Sequence, residues 1–155
     1  MRRSDRELTQ KPDLLAILEQ ADVCRLAFNT GSAPYIVPLN FGFSWNSQLV
    51  LYFHCAASGR KLDLMQQNNF VGFEIDTDHQ LKPGAAPCGW GMSYASLIGS
   101  GLLTEVLTDD EKSTALDRIM SHYGYAGKPS YEPAALSKTK ILKLEVLEMT
   151  GKRNS

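Results

Sequence analysis

Apolar residues recur along the chain with two different periods. After Pro12, which suits a first helical turn, Leu14, Ile17 and Leu18 fall at helical spacing and predict a short amphipathic helix over 12–20. Residues 23–29 then read as a strand, Thr30-Gly31-Ser32 as a turn, and 35–45 as a long strand that makes a hairpin with the first. Asn46-Ser47 forms the next turn, and 48–54 is a third antiparallel strand, apolar enough to be buried on much of both faces.

From Gly59 the period changes again. Leu62, Leu64 and Met65 suit a helix of about two turns that stops before Asn68-Asn69, and 70–76 returns to strand. Residues 77–89, with Pro83, Gly84 and Pro87, read as a long loop able to cover a site. Residues 93–107 carry Leu97, Ile98, Leu102, Leu103 and Val106 around Gly99 and Gly101. That pattern predicts a curved strand with a bulge or barrel corner at the glycines. Thr108 and Glu111 stand in the capping-box relation, and Leu116, Ile119, Met120 and Tyr123 share one helical face behind them. A Gly/Pro-rich loop over 124–137 leads to a last strand over 141–146. The sum is six antiparallel strands and three helices, a mainly β chain with flanking helices whose sheet is closed or half closed as a small barrel.

Composition narrows the function classes. With 155 residues and 43% hydrophobic content the chain fits one domain over 1–155. A net charge of −1 without a basic tract argues against nucleic acid or an acidic membrane surface as partner. The start, Met1-Arg2-Arg3-Ser4-Asp5-Arg6-Glu7, is charged, and no run reaches the roughly 18 apolar residues of a membrane span, so a cytoplasmic location is expected. Cys24, Cys55 and Cys88 are widely spaced with no C-x-x-C pair and read as free thiols. His79 close to Asp76 and Asp78 has a metal reading and a turn reading; the ligand count favours the turn, and no metal is expected.

Two stretches carry candidate chemistry. Ser58-Gly59-Arg60-Lys61 opens a helix, where free N–H groups and the positive dipole end attract a phosphate, Gly59 permits close approach, and Arg60 and Lys61 add two cations. Basic residues in a first turn oppose the dipole preference and want a reason, a bound phosphate or simple solvation of a surface helix. In Val37-Pro38-Leu39-Asn40-Phe41, Pro38 cannot donate a ladder hydrogen bond, so its edge is open to a ligand. Asn40 either meets the polar rim of that ligand or satisfies a local turn. A flat apolar edge beside a phosphate grip fits a phosphate-tailed aromatic cofactor, flavin mononucleotide (FMN) being the expected one. No G-x-G-x-x-G dinucleotide fingerprint is present.

The same residues carry a resemblance. Cys24-Arg25-Leu26-Ala27, Tyr35-Ile36-Val37-Pro38-Leu39-Asn40-Phe41-Gly42, Tyr52-Phe53-His54, Gly59-Arg60-Lys61, Phe73-Glu74-Ile75-Asp76-Thr77-Asp78, Trp90-Gly91-Met92, Tyr94, Ser96-Leu97-Ile98-Gly99-Ser100-Gly101 and Thr150-Gly151-Lys152 span almost the whole chain. They resemble the nitroimidazole-resistance (Nim-like) flavoproteins of the pyridoxamine 5′-phosphate oxidase-like split-barrel superfamily. The resemblance implies a six-stranded antiparallel split β-barrel and a homodimer with two FMN molecules at the subunit interface, each contacted by both chains. It also implies that Val37, Pro38, Leu39, Asn40 and Phe41 line the flavin ring, that Gly59, Arg60 and Lys61 hold the phosphate, and that His54, Ser96 and Lys152 are further contacts. The chain departs from that pattern at Cys55 and Ser58, where such proteins often carry Ser and Glu. Cys55 reads either as a redox thiol or as a small buried hydrophobe. Electron transfer to a small-molecule acceptor is the implied activity, with His54 as proton donor or as a histidine bonded at a strand end. A flavin- or haem-binding carrier, store or sensor without turnover is the alternative.

Overall fold

Asn40 and Phe41 interrupt the strand pattern and send the chain from one edge of the sheet to the other. In the computed structural model, which describes residues 3–154, the segment expected as one strand over 35–45 is two: β3 (Tyr35–Leu39) and β4 (Gly42–Trp45). The sheet path runs β3, β2 (Cys24–Phe28), β6 (Phe70–Lys82), β7 (Gly91–Val106), β8 (Lys140–Asn154), β5 (Leu49–Cys55), β4, so β3 and β4 are its two ends. A two-residue strand β1 (Glu7–Leu8) pairs with β8. The sheet therefore has eight strands rather than six, and it is not closed by a ladder between β3 and β4. One extra strand comes from the break at Asn40, the other from a pairing too short to leave a periodic signal. The antiparallel, mainly β architecture with flanking helices stands as read from the sequence.

The loop expected over 77–89 is shorter. β6 continues to Lys82 and pairs with β7 through Lys82↔Gly91, with an irregularity between Thr77 and Gln80 where Asp78 takes φ 60°. Asp and His in that stretch fit an irregular edge as well as a loop, which is why composition misplaced it. β8 is also longer than 141–146: Gly99 pairs with Met149 and Ser96 with Lys152, with a register shift at Ser100/Gly101 where the glycines predicted curvature. Where a loop was expected over 124–137 a short helix α4 (Pro133–Lys138) forms, so the α-helices among the described residues number four.

Helices α1 (Lys11–Gln20) and α2 (Arg60–Gln67) bury Ile17, Leu18, Leu62 and Leu64 in the main core with Leu26, Phe28, Phe41, Leu51, Phe53, Phe73, Ile75, Leu97 and Leu144. On the opposite face α3 (Asp109–His122) places Ala115 and Leu116 against Tyr52, Val106 and Ile141. α3 starts at the cap read from sequence: the Thr108 hydroxyl donates to Glu111 Oε2 at 2.8 Å and accepts from the Glu111 N–H at 3.4 Å. Its third turn lies directly on β4, because a Cβ at Gly42 would overlap the backbone of Arg118 and Ile119. No helix among the described residues is long and apolar enough to cross a membrane. Met1 and Arg2 of the charged start, and Ser155, lie outside the described residues.

Candidate functional site

β5 ends at Cys55 and an exposed stretch leads into α2. Gly59 caps that helix with φ +143° and ψ 162°, a backbone region that side chains rarely enter, and no side chain caps the first turn. The Gly59 carbonyl accepts from Leu62 and Asp63 at 2.9 and 3.3 Å, so the N–H groups of Arg60 and Lys61 have no helical partner. Arg60 is exposed with its guanidinium 4.6 Å over the Tyr35 ring, which ties α2 to the start of β3. Lys61 is half-buried, and no carboxylate among the described residues lies within ion-pair distance of either cation.

His54 and Cys55 alternate across the end of β5. His54 is exposed, opposite Ile141 in β8, whereas Cys55 packs against the main core. Burial pushes the Cys55 thiol up, with the Lys61 ammonium pulling the other way. That environment is one of a small buried hydrophobe more than an activated nucleophile.

Strand β3 divides its side chains. Tyr35, Val37 and Leu39 pack on the core, while Ile36 and Pro38 face outward on an edge strand whose ladder is to β2 alone. Phe41 is fully buried, its ring 4.6 Å from His122, so it offers only backbone, and its N–H already donates to the Tyr123 hydroxyl at 3.1 Å. Asn40 is exposed, and its Nδ2 donates to the Asp22 carbonyl at 3.3 Å and to Tyr123 Oη at 3.1 Å. Beside Pro38, Arg25 Nη1 reaches Glu74 Oε2 at 2.9 Å and Asp76 Oδ1 at 2.5 Å, and His79 Nε2 lies 2.9 Å from Asp76 Oδ2. Burial and the neighbouring Asp76 push the Glu74 carboxyl up against the pull of Arg25.

Ser96 and Lys152 are direct neighbours on β7 and β8. They stand three and four strands from Pro38, ~14 and ~19 Å across a sheet. The Lys152 ammonium is 5.5 Å over the Tyr94 ring and, with Arg6, holds the Tyr94 phenol below its usual range. The predicted residues thus form two groups in one chain: Gly59, Arg60 and Lys61 joined through Tyr35 to β3, with His54 at the same end of β5, and Ser96 with Lys152 apart from them. Tyr35, Asp22 and Tyr123 were missed, because they meet their partners from 18 to 101 positions away and no local pattern marks those contacts. A cleft of about 740 Å³ between α3 and the loop after it, lined by Arg118, Tyr125 and Lys128, touches none of the predicted residues. An apolar hollow of about 360 Å³ on the outer face lies between Ile36, Ile98, Arg25 and Glu74.

The sequence matches the model of a family described as pyridoxamine 5′-phosphate oxidase over residues 10–153. Among solved structures, a candidate 5-nitroimidazole antibiotic resistance protein of Bacteroides thetaiotaomicron is 32% identical, with a TM-score of 0.82 over 95% of this chain and 86% of that one. A protein of Mycobacterium smegmatis described as binding FAD and haem superposes with a TM-score of 0.83 at 15% identity, over 97% of this chain and 74% of the other. A flavocytochrome from Azotobacter vinelandii does so with a TM-score of 0.81 at 13% identity, over 100% and 72%. At such identities the last two speak for the fold. No curated protein matches the sequence. With the family's pattern running through nine-tenths of its length and a relative of the same fold at 32% identity, the chain belongs to the pyridoxamine 5′-phosphate oxidase family.

Proposed function

We propose that the protein binds FMN and passes electrons from the reduced flavin to a small-molecule acceptor, as a nitroreductase-like oxidoreductase of the cytosol. The observation that carries this reading is the pair of cations, Arg60 and Lys61, without carboxylate partners among the described residues, at an uncapped helix start beside an open strand edge. Those groups fit a phosphomonoester: free N–H donors, a forked guanidinium, an ammonium and a glycine that lets the phosphate close in. The flavin supplies the two-electron chemistry when bound. The chain's own part is to seat the phosphate at α2, to lay the ring along Pro38 and Asn40, and to offer a proton at His54.

The separation of Ser96 and Lys152 from the α2 mouth supports a homodimer in which each flavin is held by both chains. Exposed Ile36 and Ile98 on the outer face, 56% and 58% accessible, give that partner an apolar surface to cover. The relatives' descriptions are in keeping with this reading: one names resistance to a nitro compound, two name flavin or flavocytochrome character.

An absorption spectrum of the purified protein, anaerobic reduction and a screen of acceptors test the proposal. Flavin bands that bleach and return on adding an acceptor are expected. Bands that bleach and never return would leave a carrier or sensor, and a protein that neither retains flavin nor quenches added FMN would end the flavin reading.

A further inference from the structure

At the seam between β3 and β4, counting donors and acceptors decides what Asn40 has left for a ligand. The Asp22 carbonyl can only accept, and it lies 3.3 Å from Asn40 Nδ2 and 2.6 Å from Tyr123 Oη. The amide atom facing it is therefore the NH2 group, and the single proton of the Tyr123 hydroxyl points there too. Having donated, the phenol oxygen accepts, from Asn40 Nδ2 and from the Phe41 N–H, each at 3.1 Å. The two acceptors lie only 2.6 Å apart, so Asn40 Nδ2 meets them on one side; that shared contact fixes which way the amide faces, and no described residue donates to its outward Oδ1. A flipped amide would set Oδ1 against the Asp22 carbonyl and leave the phenol with one donor fewer.

Resting on the flavin reading, this has a definite chemical consequence. The oxidised isoalloxazine carries a single N–H, at N3 in its pyrimidine ring, and its other polar ring atoms are acceptors. An amide held with its Oδ1 outward offers an acceptor to that atom, with its remaining N–H free to donate to a neighbouring ring carbonyl. From Tyr35, under Arg60, to Asn40 the chain advances five residues, ~17 Å as strand, a span that an extended FMN covers once the reach of the Arg60 and Asn40 side chains is added at its two ends. We infer that Asn40 is a specificity-determining residue that accepts from flavin N3–H, and that Tyr123 and Asp22 are positioning residues that keep its amide from turning.

The inference is tested by fluorescence-quenching titration of the full chain with FMN and with N3-methyl-FMN, in the native protein and in Asn40→Ala and Tyr123→Phe. The native protein is expected to bind the methylated flavin about tenfold more weakly, the worth of one good hydrogen bond. Asn40→Ala, at an exposed position that leaves the core untouched, brings the ratio of the two dissociation constants close to one. Tyr123→Phe also lowers the ratio, whereas a purely structural role would weaken both flavins alike and leave it unchanged. A native ratio near one, or a ratio that survives Asn40→Ala, overturns the inference while FMN binding stands. Absence of FMN binding by the native protein overturns it together with the flavin reading.

Discussion

At the seam between β3 and β4 the polar groups are engaged with one another, whereas at the mouth of α2 two cations have no carboxylate partner among the described residues. Tyr123, Asn40 and Asp22 hold one another and leave only the outer side of the Asn40 amide open, and His122 adds a 2.8 Å contact to the Ala21 carbonyl with its ring 4.6 Å from Phe41 and tilted by 43°. The α2 mouth has an uncapped first turn, two cations without an ion pair among the described residues, and a glycine whose φ of +143° admits no side chain without strain. The first arrangement fixes where two sheet edges meet without a ladder; the second leaves binding capacity for something outside the chain. A sheet that is split rather than closed needs the first, and a phosphate needs the second.

The contrast is broken or sharpened by substitutions that separate folding from binding. The largest effect is expected at the seam: Phe41→Ala removes a fully buried ring and costs about 3–5 kcal/mol in denaturant unfolding. A loss under about 1 kcal/mol would mean that the seam is not part of the core. At the mouth, Arg60→Ala is expected to weaken FMN binding by about 1.5–3 kcal/mol. The unfolding free energy of the apoprotein should move by only about 0.5–1 kcal/mol, from the lost contact with Tyr35. Equal losses in both measurements would erase the distinction.

Tyr123→Phe comes next. It leaves the Phe41 N–H without its partner and the Asn40 amide with the Asp22 carbonyl alone, and is expected to lower stability by about 1–2 kcal/mol. The smallest effect is electrostatic. Burial raises the Cys55 thiol and the Lys61 ammonium lowers it, so a phosphate dianion at Lys61 cancels the lowering and moves the thiol further up. Less thiolate at a fixed neutral pH means that alkylation of Cys55, followed by mass spectrometry, slows when FMN binds. Acceleration would place the anion elsewhere.

The α2 mouth was legible from residues alone because it is local: glycine, two cations and a helical apolar pattern lie within seven positions of one another. So was the α3 cap, made by Thr108 and Glu111 three residues apart. The seam was not legible. Pro38 and Asn40 signalled an interruption, yet whether the strand bulges there or crosses to the far edge depends on Tyr123, 83 residues on, and on the close approach of α3 to Gly42. Ser96 and Lys152 were recognised through family resemblance, and their place beside each other follows from a register that includes a bulge at Ser100/Gly101, which no periodicity encodes. The overrun of β6 through Thr77–Lys82 has the same cause: pairing with β7 overrides the weak strand preference of Asp and His.

The central claim is that Arg60, Lys61 and the free N–H groups of α2 hold the phosphate of a flavin. The most direct measurement compares FMN with riboflavin, which has the ring and ribityl chain without the phosphate, in quenching titrations of the native protein and Arg60→Ala. The account predicts that FMN binds the native protein at least about tenfold more tightly than riboflavin, and that Arg60→Ala removes most of that advantage. Equal affinity for the two flavins in the native protein would contradict it.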